Sequence, residues 1–516
     1  MRNISLLTLA LLLIFSSCKK ELDTQPNTII GGDDLASVII PASFDWRTTK
    51  TIDVEVLLPE DIGIMRTKIF SADGSKLYYK GYPSDTSQRI LRTKITVPIS
   101  QNSFLITNGI IQSEVELGGD MLSVDFNNTF KALKNGNADC GECDGQITIL
   151  ELEYMGEESN PIIKVTQKKG GNHNYVIFEG EVDGPFEFEG ANNHNKMGAK
   201  IKVYVNDVLN VEMHTSCSVT FLAGMQFEDF LIVSGESDNG GELCEIEGGT
   251  EDDSYEGTVI YEDLYPAKGD YDFNDLVIDY HYIVNKNDDG FVNFVNATFT
   301  VEAFGASFHN AFGFQFPDVT PNQVSSVTGY VLKDNTIFNM ANNGVELNQS
   351  KATFIVYDDA FNIMQHPGSG IGVNTTPGSS YVNPETIEII ITFVPNSVTY
   401  EDLNIGNFNP FIVTKQNRGY EVHLANYEPT DLFDLALFNY YNDDSNPATG
   451  RYFVTDKNLP WAINIPADFG HMNEKAEIST GYLKFIEWAE SAGANFPDWY
   501  ENNPGYINET NIYQIP

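Results

Sequence analysis

Short runs in which β-branched and aromatic residues alternate with polar ones recur along most of this 516-residue chain. A period of two predicts strands with one buried and one solvated face. Over residues 37–130 the runs TIDVEVLLP, NSFLITN, SEVELGG and MLSVDF follow at hairpin spacing, with Asp73-Gly74 as a tight-turn pair. They predict a small β-sandwich. Residues 140–246 repeat the pattern in QITILELEY, IIKVTQ, NYVIFEGEV and KIKVYVNDVLNVEMH, with Asn206-Asp207 at a turn, and predict a second. IEGGTEDDSYEG reads as a linker. From 254 to 516 strand patterns continue, and the length predicts a larger sandwich-like or jelly-roll domain. One helix is expected there, with Asn473 as N-cap and Ile478, Tyr482, Phe485, Ile486 and Ala489 on one apolar face. Gly493 would stop it and Pro497 bars continuation. The fold class is mainly β.

One stretch breaks the pattern. In YEDLYPAKGDYDFNDLVIDYHY, residues 261–282, Glu262, Asp263, Asp270, Asp272, Asn274 and Asp275 crowd together just before a strongly apolar run. Were the whole run a strand, Asp270, Asp272 and Asn274 would share a face with Leu276, Ile278 and Tyr280. Carboxylates pressed against a core are costly unless neutralised. A loop ending near Asp275, with the strand starting immediately after and a bound cation neutralising the cluster, resolves the conflict. Six to eight carboxylate, amide and backbone oxygens are what calcium takes, so these six residues are candidate calcium ligands.

Composition restricts the function classes. Thirty basic against 73 acidic residues give a formal net charge of −43, which repels nucleic acid and anionic membranes. The amino terminus, MRNISLLTLALLLIFSSC, has one basic residue and an apolar core too short to span a bilayer, as in an export signal over residues 1–17. Phe15-Ser16-Ser17-Cys18 resembles a bacterial lipobox, which implies lipidation of Cys18 and a polar tether over 18–36. Lys19 after the cysteine favours the outer membrane, by resemblance to known sorting rules. The surface-exposed face is expected, with the periplasmic face as the alternative. Cys140, Cys143, Cys217 and Cys244 remain. In an exported protein they suggest two disulfides of open pairing, with a four-cysteine zinc site as the competing reading.

The 261–282 stretch resembles the signature of the LruC-type domain of Gram-negative lipoproteins. GASFHNAFGFQFP (305–317), NPFIV (409–413), RGYEVHLANYEPT (418–430), NLPWAINIP (458–466) and FIEWAESAGANFPDWY (485–500) follow in the order such a domain has. The resemblance covers 254–516 and implies an exported protein with no known catalysis. A broader group of secreted domains with a similar acidic pattern is thought to bind calcium. Tyr261 and Phe273 depart from that pattern, and Glu262, Asp263, Asp270, Asp272, Asn274 and Asp275 match it. The 140–246 block resembles a β module appended to many bacterial secreted proteins.

Weaker acidic clusters are NKNDDG (285–290), YDDAF (357–361) and YNDDSN (441–446). The first mimics an EF-hand start at Asn285, Asn287, Asp289 and Gly290, yet Asn296 stands where the acidic twelfth ligand belongs. Asp289-Gly290 reads better as a hairpin turn. His309 sits among phenylalanines and reads as a core or turn residue. Serine-hydrolase, zincin, phosphate-loop and dinucleotide motifs are all missing. The expectation is an envelope-anchored surface lipoprotein with a calcium-stabilised β domain and a structural or glycan- or protein-binding role, without catalysis. The alternative is a secreted hydrolase working through carboxylates on polysaccharide or protein.

Overall fold

The computed structural model describes residues 35–59, 66–83, 89–108, 111–127, 131–132, 145–156, 158, 160–168, 174–216, 223, 226–239, 241–243, 253–287, 289–305, 307–334 and 336–515. Cys18, Cys140, Cys143, Cys217 and Cys244 lie outside the described residues, and with them the lipidation, disulfide and zinc expectations.

Period-two patterning builds three sandwiches in succession. In the first, Thr49–Leu57 runs antiparallel to Ile90–Pro98 and parallel to Met121–Asp125. A second sheet orders Leu77–Gly81, Thr67–Ser71, Ser103–Asn108, Ile111–Glu116 and Lys131–Ala132. Between them lie Ile52, Val54, Val56, Ile69, Ile95, Phe104 and Ile106, each an alternate position of its strand. The Asp73-Gly74 pair turns the Thr67–Ser71 strand into Leu77–Gly81, Gly74 adopting φ +76. In the second sandwich, Asn174–Glu181, Ile162–Lys168, Lys200–Val205 and Val208–His214 form one sheet. The other centres on Ile147–Tyr154 and Phe230–Ser237. Asn206 and Asp207, at φ 47 and 69, make the tight turn that asparagine and aspartate tolerate best.

The third unit sets a six-stranded sheet against a four-stranded one. The first orders Val324–Thr328, Glu385–Phe393, Val292–Ala303, Leu276–Lys286, Asp253–Tyr261 and Ala462–Ile465. The second orders Ala352–Tyr357, Ala311–Phe316, Asn409–Val413 and Glu421–His423. Aromatic rings fill the space between, with Phe299 and Phe314 at 5.2 Å and Tyr282 and Phe314 at 5.8 Å between centroids.

The six-stranded sheet is buried on its other face as well, at one end. Tyr261, Leu276 and Ile278 face the inner core, while Ile260, Val277, Ile463 and Ile465 face an outer one. This is why LVIDYHYIV reads as an unbroken apolar run at its start. Chain from both ends of the protein covers that outer face. Residues 35–48, expected as the end of the tether and, from 37, the start of the first sandwich, lie across it as a strap. Trp46 Nε1 donates to the Asn458 carbonyl at 2.6 Å, and Asn458 Nδ2 donates to the Pro41 and Phe44 carbonyls at 2.8 and 3.0 Å. Phe44 and Trp46 pack on Trp488 at 4.9 and 5.5 Å.

The expected single helix is two short ones, Ile478–Gly481 and Phe485–Glu490. Tyr482 breaks the run because its ring stacks on Phe469 at 4.4 Å and its hydroxyl donates to the Gly470 carbonyl, which pulls the backbone to an extended conformation. Asn473 is not the N-cap; its Nδ2 donates to the Thr510 carbonyl. The five residues of the expected apolar face are all buried in the outer core, and Gly493, at φ +82, closes the second helix. Among the described residues, no helix is long and apolar enough to cross a membrane.

Buried charge elsewhere in this unit is neutralised internally. Arg418 donates to Glu346 at 2.5 and 2.6 Å and also pairs with Glu421. His423 Nε2 lies 2.8 Å from Glu421 Oε2. Burial alone would raise the Glu421 pKa, but the His423 hydrogen bond and the Arg418 charge outweigh it and hold it at about 2. Burial lowers that of His423.

Two outcomes are expected. Trp46→Ala should cost about 3–5 kcal/mol of stability and raise amide exchange across 478–490; unchanged exchange there would show the strap to be dispensable. Because burial lowers the pKa of His423 in the fold, the wild type loses stability as pH falls through the unfolded histidine value of about 6.5. A His423→Gln chain has no such loss, so its deficit in urea midpoint should shrink as pH drops from 7 to 5.

Candidate functional site

Tyr261 pairs directly with Leu276 across two adjacent strands, so residues 262–275 form one loop closing the end of the sheet. The strand begins at Leu276, immediately after the last carboxylate. Tyr271 and Phe273 sit in the outer core, and both take left-handed backbone, φ 58 and 50. Such conformations cost about 1–3 kcal/mol each in residues other than glycine, and burial of the two rings offsets it. With alternate residues committed to the core, the polar side chains between them turn inward.

The carboxylates are buried, contrary to what their charge would suggest. Glu262 and Asp263 are fully enclosed, Asp272 is 2% exposed and Asp275 6%; Asp270 is half-buried. Oxygens of Glu262, Asp270 and Asp272 lie within 4.8 Å of one another. Glu262 Oε1 accepts from the Phe273 N–H at 2.9 Å, and Oε2, equally buried, has no hydrogen-bond partner. Asp272 accepts from the N–H groups of Asn274 and Lys475 at 3.3 and 2.7 Å. Gly269 lies so close that any Cβ there would overlap Glu262 Oε2.

Asp263 and Asp275 stand beside this triad. Asp275 Oδ2 accepts from the Asp263 N–H at 3.0 Å, and Asp263 Oδ2 accepts from Asn310 Nδ2 at 2.9 Å. Asn274 donates to the Met472 carbonyl at 3.1 Å, while its Oδ1 is buried without a partner. Asn310, Gly305 and the backbone at Met472 and Lys475 were not anticipated as parts of the site. GASFHNAFGFQFP carried two of them, but only folding brings that segment to the loop.

Among the described residues, Glu262, Asp272 and Asp275 form no ion pair with lysine or arginine. Burial, then the charges of Asp272 and Asp270, pushes Glu262 well above the carboxylate range. Burial, then Asp270, pushes Asp272 up to about 8. Burial, then Asp263 and Glu262, raises Asp275. The cluster must therefore take up protons or a cation. The donors are carboxylate and amide oxygens with no histidine or cysteine among them, a set that fits a hard divalent ion and not zinc or copper. The unsatisfied Glu262 and Asn274 oxygens are the observation that makes the fit.

The other acidic segments are structural. Asp289-Gly290 turns the Leu276–Lys286 strand into Val292–Ala303, with Gly290 at φ +80 and Asn287 Oδ1 accepting from the Phe291 N–H at 2.9 Å; Asn285 bonds Asn293 across the same hairpin. Asp443 accepts from Asn439 and Ser445 within its own loop. Asp359 caps a short turn at Phe361 and lies 2.7 Å from His309 Nδ1, and His309 stacks on Phe361 instead of entering the core.

Residues 290–500 match the profile of a family described as a domain of unknown function, DUF4842. The match lies within 254–516, covers less than half of the chain and begins beyond the acidic loop. No curated protein matches the chain. A crystal structure of a candidate lipoprotein from Bacteroides ovatus is similar at 16% identity and a TM-score of 0.41, over 69% of this chain and all of that one. That likeness is too loose to carry a functional argument.

Asp272 carries a pH signature when divalent cations are chelated. Its folded pKa of about 8 lies above an unfolded value of about 3.9, so the wild type loses stability as pH rises from 4 towards 8. Asp272→Asn has no such loss, and under chelation its stability relative to wild type should climb over that window. A constant difference would contradict the buried, cation-free placement of this carboxyl.

Proposed function

We propose that this chain is an envelope-anchored lipoprotein whose carboxy-terminal sandwich, of the LruC type, is stabilised by calcium bound in the 262–275 loop. It serves a structural or ligand-binding role, with a glycan or protein as ligand, and no catalysis of its own. The observation that carries the calcium reading is the convergence of Glu262, Asp270 and Asp272 within 4.8 Å, two of them buried and Asp270 half-buried, at the end of two adjacent strands. Lipidation of Cys18 and placement at the outer membrane rest on the amino-terminal sequence. In the cation's presence the carboxylates remain ionised and the loop is cross-linked. Asp272 would hold the ion while its backbone partners, the N–H groups of Asn274 and Lys475, orient it.

Binding is favoured over hydrolysis by the state of the carboxylates in a groove of about 550 Å³ between the first and third sandwiches. Arg47, Thr51, Thr96 and Tyr427 line it, a polar surface suited to a hydroxylated ligand. Its three carboxylates are all committed: Asp318 to Asn404, Glu401 to Lys94 and Asp402 to the Thr399 turn. A hydrolase would need a pair left free for proton transfer.

Calcium should raise the thermal midpoint, and a chelator should lower it, by several degrees, since binding to the native state alone stabilises by mass action. Asp272→Ala should abolish the difference. Equal melting of the wild type with calcium and with chelator would defeat the reading.

A further inference from the structure

We propose that the acidic loop holds two hard divalent cations side by side: one at Glu262, Asp270 and Asp272, and a second at Asp263, Asp275, Asn274 and Asn310. This rests on the cation reading above and extends it to a second position whose ligands include a residue from outside the loop. Asp263 and Asp275 are joined to each other and to Asn310, through the Asp263 N–H to Asp275 Oδ2 and Asn310 Nδ2 to Asp263 Oδ2 contacts. The triad of mutually close carboxylate oxygens does not include them.

Two amide oxygens point to a ligand at the second position. Asn274 is fully buried and Asn310 1% exposed, and the Oδ1 of each has no hydrogen-bond partner. Each Nδ2 is engaged, on the Met472 carbonyl at 3.1 Å and on Asp263 at 2.9 Å. Rotating either amide to relieve its oxygen would therefore break a hydrogen bond and turn an acceptor towards an acceptor. A buried acceptor left unsatisfied costs about 1–3 kcal/mol, so each of these oxygens, one on the neighbour of Asp275 and one on the residue bonded to Asp263, calls for a donor or a cation.

Gly305 supports the same placement. A Cβ on it would lie 2.5 Å from Asn274 Oδ1 and 3.1 Å from Asp275 Oδ1. The carboxylate and the amide oxygen therefore border one small space, which only a residue without a side chain leaves open. Gly305 and Asn310 belong to the segment leading into the Ala311–Phe316 strand of the opposite sheet, so the second ion would tie the two sheets together where the first ties the loop to itself.

Charge balance separates one ion from two. Glu262, Asp263, Asp270, Asp272 and Asp275 bring five negative charges into one largely buried volume. Glu262, Asp272 and Asp275, which form no ion pair with lysine or arginine among the described residues, already exceed by one the charge of a single divalent ion. Carboxylates and amide oxygens in this number are calcium's donor class.

The test is a count. Full-length protein stripped with EGTA is titrated with calcium and weighed by native mass spectrometry, and wild-type crystals grown with terbium are examined for anomalous peaks in the loop. Two calcium ions per chain and two peaks are expected, falling to one ion in Asp270→Asn and one in Asp263→Asn. One ion and one peak in the wild type would overturn the second site and leave the cation reading standing. No bound ion would overturn both. The anomalous map needs no variant, so a variant that fails to fold does not blur the result.

Discussion

Four carboxylates enclosed at the end of a sheet, with a half-buried fifth beside them, must be neutralised, and much of the third sandwich is arranged around that requirement. Left ionised and unpaired in a dry interior, each would cost several kcal/mol. Protonation is one escape, and the raised pKa values of Glu262, Asp272 and Asp275 describe it. A cation is the other, and the unsatisfied oxygens of Glu262 and Asn274 suit it better than a proton does. The adjacent strands Asp253–Tyr261 and Leu276–Lys286 are joined through this loop, so its state bears on their register in the sheet.

The same unit shows what the alternative looks like. At Arg418 the chain supplies its own positive charge to Glu346 and Glu421, with a buried histidine completing the network. That network lies in the RGYEVHLANYEPT segment and fastens the edge of the four-stranded sheet to the 346 loop. Among the described residues, no arginine or lysine plays that part for Glu262, Asp272 or Asp275. The contrast sets the acidic loop apart from the Arg418 network, where the counter-charge is built in.

Coupling between the loop and the rest follows from the outer core. Tyr271 and Phe273, which bracket Asp272, pack among Leu35, Val38, Phe44 and Trp46 of the amino-terminal strap and among the carboxy-terminal helices. The Leu35 N–H also donates to Glu477 at 3.2 Å, and the Ile478 N–H donates to the Tyr271 carbonyl at 2.8 Å. The amino-terminal strap is therefore fastened to the third sandwich next to the acidic loop.

Local patterning was enough to place the strands, the Asp73-Gly74 and Asp289-Gly290 turns, and the mainly β class, because alternation and turn chemistry act between residues close in the chain. It was also enough to place a loop over the carboxylates and a strand start at Leu276, because a buried carboxylate is costly wherever the chain goes. The helix interruption at Tyr482, the strap at 35–48 and the roles of Gly305 and Asn310 were decided only by tertiary structure. Each depends on partners far away in sequence: Phe469 stacking on Tyr482, Asn458 reaching back to Pro41 and Phe44, Asn310 reaching Asp263. Sequence determined which oxygens were available; which of them share a space was set by the packing of the two sheets and the outer core, since only that brings separate segments within bonding distance.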